Sequence, residues 1–199
     1  MHNIFDCVQA FIPLLNTEYD IILGRKGVLA HLVLQFDRKD CFHLMGIQYL
    51  RDRPQFNRSR DRIFDEILNG TIMPSEAESS VFYGKIKERV NLLPHLEQII
   101  DSNDTVFKYN EKILSFSSIQ AEYLMENSVH QREVYLFLSK NKDNIYYCRS
   151  FFPKEDLDYT KGQASWTLLY KAKREISSGK ETVLFDRLHK NSKTGSDIR

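Results

Sequence analysis

The chain has 199 residues, of which 42% are hydrophobic, and its formal net charge at pH 7 is +1. This length and hydrophobic content predict one compact domain and exclude general disorder. So small a net charge excludes an indiscriminate basic coat for nucleic acid, although a local basic cleft is compatible with it. The three cysteines lie far apart and the histidines form no HExxH motif, so we expect no disulfide framework, metal site or cofactor.

The N-terminal stretch MHNIFDCVQAFIPLLNTEYD predicts an amphipathic helix. It has no basic n-region and polar residues interrupt it, so it predicts neither a secretory signal nor a membrane anchor. We therefore expect a cytoplasmic protein without a membrane partner. The next stretch predicts a β-hairpin with strands at residues 20–23 and 28–36, and its turn would present Lys26 at the tip.

The stretch CFHLMGIQYLRD, residues 41–52, predicts a largely buried helix that carries His43 three residues before Gly46. Asp40 is a candidate N-cap, which would put His43 in the first turn, where free N–H groups favour an anion. A histidine can take or give a proton near neutral pH, and Gly46 would leave room for a ribose or phosphate. The alternative is a structural ring bonded to a carbonyl, with Gly46 admitting a crossing strand.

The next stretch, RDRPQFNRSRDR, has five arginines and two aspartates. Arginine suits bidentate phosphate contacts, so Arg51 and Arg53 are candidate substrate-binding residues. The alternative is a solvated surface of mixed charge. Residues 58–70 and 81–101 predict a helical middle, and Pro94 should interrupt its second helix.

Beyond residue 102 the pattern becomes strand-like. Short runs rich in aromatic and β-branched residues predict strands at 105–110, 114–124, 133–140, 144–152 and 182–188. The predicted helices thus come mostly before the predicted strands, which would form a mainly antiparallel sheet. This order is typical of an α+β fold. We expect one domain over residues 1–188 and a flexible, dispensable tail over 189–199.

The segment SWTLLYKAKREI, residues 165–176, is compatible with a strand or with a helix. We favour a strand, which would project Gln163, Ser165 and Thr167 from one face as a row of hydrogen-bonding groups. Lys171 would extend that face as a cation. An ordinary half-exposed strand is the alternative interpretation.

A charged residue, Arg149, interrupts the aromatic run YYCRSFF. A charge in such a strand either points to solvent or meets an anion. Its alternating neighbour Tyr147 could stack on a base. Both residues are therefore candidates for a substrate site.

Four segments together resemble a known family: the hairpin YDIILGRKG with VLAHLVLQFDRKD, then CFHLMGIQYLRD, YTKGQASWTLLYKAK and ETVLFDRL. They are similar to the phage-associated nucleases of the BECR superfamily, named for barnase, EndoU, colicin and RelE toxins, in its fourth phage-linked branch. The resemblance spans roughly residues 19–188. It implies a helical part followed by a curved antiparallel sheet that holds the active site. It also implies metal-independent RNA cleavage by a phage or prophage toxin or host-takeover factor, with an antitoxin or a host protein as candidate partner.

Metal-free RNA cleavage needs a base for the 2′-hydroxyl, an acid for the leaving 5′-oxygen and donors around the phosphate. With the resemblance, the candidate catalytic residues are His43, Arg149, Thr167 and Gln163. The candidate substrate-binding residues are Lys26, Gly46, Arg51, Arg53, Tyr147, Ser165 and Lys171. Two other classes stay open: a non-catalytic nucleic-acid-binding protein on the same fold, and a module that binds a host protein.

Overall fold

The computed structural model describes residues 1–102, 105–114 and 116–189. Apart from its first residue, the predicted tail at 189–199 lies outside these ranges. The helices are α1 (Ile4–Phe11), α2 (Arg38–Met45), α3 (Arg60–Leu68), α4 (Pro74–Glu78), α5 (Lys87–Leu92) and α6 (Leu96–Asp101). The strands are β1 (Thr17–Arg25), β2 (Val28–Leu34), β3 (Thr105–Lys108), β4 (Tyr123–Val129), β5 (Arg132–Lys140), β6 (Tyr146–Pro153), β7 (Ala164–Glu175) and β8 (Glu181–Asp186).

The eight strands form one strongly curved sheet. Their order is β1-β2-β6-β5-β4-β3-β7-β8, and β1 also pairs with β7, so the first seven strands form a closed ring. The described pairings are antiparallel except that of β2 with β6, which is parallel and joins Leu34 to Tyr146. The predicted α+β class with a curved, mainly antiparallel sheet is confirmed.

The main core lies between the helices and one face of the sheet. In α1 the apolar residues at positions 4, 7, 8 and 11 share one helical face, and all four are buried. In β1 alternate residues are buried, as expected for a strand with one face on a core. The Tyr19 hydroxyl on that face donates to Asp101 of α6 at 2.6 Å. The helical middle is also confirmed, with Pro94 in a short 3₁₀ turn between α5 and α6.

A smaller core covers the opposite face of the sheet at β4 and β5. Tyr109, Leu114, Ile119 and Ala121, which precede β4, pack in this core. The strand predicted over residues 114–124 is therefore wrong for the described residues 114 and 116–122, and only its last two residues belong to β4. The Ser117 hydroxyl accepts a hydrogen bond from the Ile119 N–H at 3.2 Å. Such local bonds give the backbone an alternative to a strand ladder, and this one lets Ile119 pack on the aromatic cluster.

Helix α2 begins earlier than predicted, because Asp37 rather than Asp40 is its N-cap. Asp37 accepts from the Lys39 N–H, while Asp40 accepts from the Asp37 N–H at 2.9 Å, which together form a capping box. His43 therefore lies in the last turn, not the first. The prediction that it lies beside a helix N-terminus is wrong, since FDRKD contains two acidic residues three positions apart and the first is the cap.

Gly46 ends α2 in the left-handed conformation, with φ +82°. A Cβ atom at this position would lie 3.0 Å from Cγ2 of Ile86 and 3.3 Å from atoms of Arg89 and Tyr49. The space next to Gly46 is thus filled by protein. The prediction that it leaves room for a ribose or phosphate beside His43 is wrong, because this glycine is needed for the turn and for close packing.

Residues 164–175 form a strand, as favoured from the sequence. A β-bulge interrupts it: Leu23 of β1 pairs with Leu168 and Ile22 pairs with Tyr170, so Leu169 has no partner in that register. A bulge reverses the alternation of side chains beyond it. Thr167 is exposed, whereas Lys171 is 0% exposed. The expectation that Lys171 extends the Thr167 face is therefore wrong.

Lys171 instead stabilises the end of α6. Its ammonium donates to the carbonyl oxygens of Ile100 at 2.7 Å and Ser102 at 2.5 Å. Cations are favourable at helix C-termini, and a buried carbonyl that loses its donor costs about 1–3 kcal/mol. Lys171→Met should lower the free energy of unfolding by that amount in urea denaturation. The exposed Lys180 offers the control: if Lys180→Met costs as much, the buried hydrogen bonds contribute nothing.

Candidate active site

His43 lies in a cleft of about 400 Å³ between α2 and β6. The N-terminal residue of α3, the residues that follow β2 and the turn between β5 and β6 complete its walls. The side chains that matter for its chemistry are Lys39, Asp40, His43, Arg60, Tyr147 and Arg149. Three of the residues predicted as site residues, His43, Tyr147 and Arg149, are therefore brought together from distant parts of the chain.

Arg149 reaches this cleft from an irregular point in β6. Phe137 of β5 pairs with Ser150 and Leu138 pairs with Cys148, so Arg149 is the extra residue of a β-bulge. Bulges re-aim side chains relative to the regular alternation of a strand. Cys148 is buried while Arg149 is exposed. Within the described ranges, no carboxylate lies at ion-pair distance from the Arg149 guanidinium, which leaves it available to an anionic ligand.

The His43 ring is in an environment that favours its neutral form. Burial lowers the pKa of His43, and the positive charges of Arg60 and Arg149 lower it further. A hydrogen bond with the Gln48 side chain acts in the opposite direction. At pH 7 the ring is therefore mainly neutral, with one nitrogen able to accept a proton.

Asp40, which the sequence indicates only as a helix cap, is a second titratable group of the cleft. It is 3% exposed, and burial raises its pKa to about 6, although the bond from the Asp37 N–H lowers it. Arg60 is one of five arginines in the basic stretch, with nothing in the sequence to distinguish it. Sequence reasoning missed both residues because their burial and position depend on β6, which is distant in sequence.

The two arginines singled out from the basic stretch do not line the His43 cleft. Arg51 is exposed in the turn that follows α2. Arg53 is occupied within the protein: its guanidinium donates to the Ser79 carbonyl and lies 3.5 Å from a carboxylate oxygen of Asp52. Their part in substrate binding stays a prediction without support from the geometry.

Ser165, Thr167 and Lys26 are exposed and do not line the His43 cleft. Thr167 pairs with Gly24 of β1, and Lys26 follows at the tip of the predicted hairpin, whose two turn residues both have positive φ. In the sheet, β1 and β2 lie between β7 and β6. The structure therefore does not bring this row of residues to His43, and its role stays a prediction.

Gln163 is linked to the site indirectly. Its amide oxygen accepts from the Asn110 N–H at 2.8 Å, and its amide nitrogen donates to the Asn110 carbonyl at 3.2 Å. Asn110 lines a second cleft of about 520 Å³, which shares Tyr147 and Arg149 with the His43 cleft. Gln163 thus orders a neighbouring wall and does not line the His43 cleft itself.

Other kinds of chemistry have little support among the described residues. No group of three or more His, Cys, Asp or Glu side chains in these ranges is placed to hold a metal ion. The three cysteines are buried and free, and burial raises the pKa of Cys41 and Cys148 well above its usual range, which disfavours a thiolate nucleophile. No helix in the described part is long and apolar enough to span a bilayer.

Comparison with known families finds a match over most of the chain. A family model described as phage-Barnase-EndoU-ColicinE5/D-RelE like nuclease4 matches residues 3–188. The matched range includes all of the residues that line the His43 cleft. No curated protein and no solved structure matches the chain significantly.

Proposed function

Because the chain belongs to the phage-Barnase-EndoU-ColicinE5/D-RelE like nuclease family, we propose that it is a metal-independent endoribonuclease whose active site is the cleft between α2 and β6. One observation carries this proposal: a neutral, half-buried His43 and the exposed guanidinium of Arg149 share that cleft. They are a proton acceptor and a phosphate-binding cation, two of the groups that metal-free RNA cleavage needs.

In the proposed reaction, Arg149 binds the scissile phosphate and Arg60 adds a second positive charge. His43 takes the proton of the 2′-hydroxyl, whose oxygen attacks phosphorus while the bond to the 5′-oxygen breaks. The leaving oxygen needs a proton, which we assign to the Tyr147 hydroxyl because it is a donor that lines the same cleft. The products are a 2′,3′-cyclic phosphate and a free 5′-hydroxyl. Atoms and charges balance when a proton then passes through solvent from protonated His43 to the Tyr147 oxyanion, which restores both groups.

The direct test is incubation of the purified protein with a generic RNA in the presence of EDTA. We expect cleavage that persists with the chelator and leaves cyclic phosphate ends. Binding without cleavage would favour the non-catalytic nucleic-acid-binding alternative. Failure to bind RNA would favour a module that binds a host protein. A role as a phage or prophage toxin, with an antitoxin or a host protein as partner, is a further part of the proposal that growth assays on expression can test.

The pH dependence of cleavage should report the state of His43. The base must be unprotonated, so kcat/KM should fall as the pH drops through the pKa of His43, which lies below its usual value of about 6.5. Arg60→Gln removes a cation that lowers the pKa of both His43 and Asp40, so the midpoint of the acid limb should move to higher pH. Arg62, on the same helix, pairs with Glu66 and supplies the control Arg62→Gln. An unmoved midpoint in Arg60→Gln would exclude His43 as the titrating base.

A further inference from the structure

A third cavity, of about 530 Å³, is built from the same part of the chain as the proposed active site. Tyr49, from the turn that follows α2, and Ser150 and Phe152, from β6, form one part of it. Arg89 of α5 and the loop residue Tyr159 also line it. The mechanism proposed above uses none of these side chains.

Arg89 is held in a fixed position in this cavity. Its Cζ atom lies 5.6 Å from the centre of the Tyr49 ring and 5.2 Å from the centre of the Phe152 ring. A guanidinium that stacks on aromatic rings still presents N–H groups at its edge as hydrogen-bond donors. No carboxylate of the described residues lies within ion-pair distance of Arg89. The cavity therefore holds a planar donor in contact with two aromatic rings.

The charges of the lining disfavour a phosphate in this cavity. Three carboxylates, Glu88, Glu155 and Asp156, outnumber the two cations Lys85 and Arg89. Aromatic faces together with both donors and acceptors suit a neutral planar ring that carries hydrogen-bonding edges. Nucleobases have these properties, and proteins that recognise single-stranded RNA bind unstacked bases on such aromatic side chains.

The position of the cavity indicates which base would enter it. Ser150, which lines this cavity, directly follows Arg149, which lines the His43 cleft. Tyr49 likewise lies one short turn beyond the end of the helix that carries His43. We propose that the cavity binds the unstacked base of a nucleotide adjacent to the scissile phosphate. This inference rests on the proposed function, because it takes the phosphate position from Arg149.

Binding of an uncleavable dinucleotide tests the inference without catalysis. The probe is a 2′-O-methyl dinucleoside monophosphate, compared with two analogues that each lack one of the two bases. Stacking is worth about 1–3 kcal/mol per base, so loss of the bound base should weaken binding to the wild type by about 5- to 150-fold. Tyr49→Leu should weaken binding of the intact dinucleotide by a similar factor. It should cause no additional loss with the analogue that lacks that base, because the two changes remove the same contact.

Phe5→Leu is a matched control, since Phe5 is a partly exposed aromatic residue of α1 that does not line the cavity. If the losses of binding free energy caused by Tyr49→Leu and by base removal simply add for both analogues, the inference is overturned. The proposed nuclease activity is not affected by that result. If Tyr49→Leu has no effect on the intact dinucleotide, the inference is overturned as well. Coupled losses in a protein that shows no RNA cleavage would support the base site and contradict the proposed function instead.

Discussion

His43→Ala should reduce kcat/KM for RNA cleavage by about 10²- to 10⁴-fold, which is the usual contribution of a group that transfers a proton in the transition state. The free energy of unfolding should change little, because the ring is only half-buried and opens on the cleft. The two measurements are cleavage of a generic RNA and urea denaturation on the same preparation. His31 is a suitable control, since it is an exposed histidine of β2 that pairs with Asp20.

The result that would contradict this role is a His43→Ala protein that is clearly destabilised but still active. Removal of a buried hydrogen-bonding partner typically costs about 1–3 kcal/mol, so a structural histidine would show such a loss with no specific effect on cleavage. His31→Ala should leave cleavage unchanged. A large loss of activity in that control would mean that the assay is not reporting on the α2–β6 cleft.

Arg149→Ala should lower kcat by about 10²- to 10³-fold, because a preorganised donor at the developing phosphate charge is among the largest catalytic contributions of a single residue. It should also make RNA binding less dependent on salt, by about 0.7 in the slope of log K against log salt for one lost phosphate contact to a single strand. Arg149→Lys should restore the salt dependence more fully than the rate, since lysine keeps the charge and loses the planar pair of donors.

Arg62→Ala provides the matched comparison for Arg149, because Arg62 is more than half exposed and already pairs with Glu66. It should change neither the rate nor the salt slope. If Arg149→Ala leaves the slope equal to that of Arg62→Ala, the guanidinium makes no phosphate contact. The proposed mechanism, which needs a cation in contact with the scissile phosphate, would then be contradicted.

Much of the architecture follows from local patterns. The hairpin was predictable because Lys26 and Gly27 separate two β-rich runs, and the break between α5 and α6 because Pro94 cannot continue a helix. The strand at residues 164–175 was predictable because polar and apolar residues alternate over its first positions. These features depend on residues close together in sequence, for which side-chain spacing and backbone preferences are informative.

The site was less predictable, because two β-bulges decide which side chains share a surface. The bulges fall at Leu169 and Arg149, residue types that carry no signal for such an irregularity. One bulge buries Lys171 against α6, whereas the other accompanies the exposure of Arg149 at the cleft. A single additional residue in a strand moves every later side chain to the opposite face. Alternation alone therefore predicted the exposed position of Thr167 correctly and the position of Lys171 wrongly.

The pairing of β2 with β6 is the shortest described pairing in the ring of strands, and it lies at the cleft itself. Leu34 and Tyr146 are the one described pair in this register, supported by a hydrogen bond from the Gln35 N–H to the Tyr146 carbonyl at 3.0 Å. Gln35 and Tyr146 also line the cleft that contains His43. Separating these two strands breaks fewer hydrogen bonds than opening the ring at any other described pairing. This junction of the ring is thus held by the fewest backbone hydrogen bonds among the described pairings, and the burial of Leu34 and Tyr146 in the main core contributes the rest of its stability.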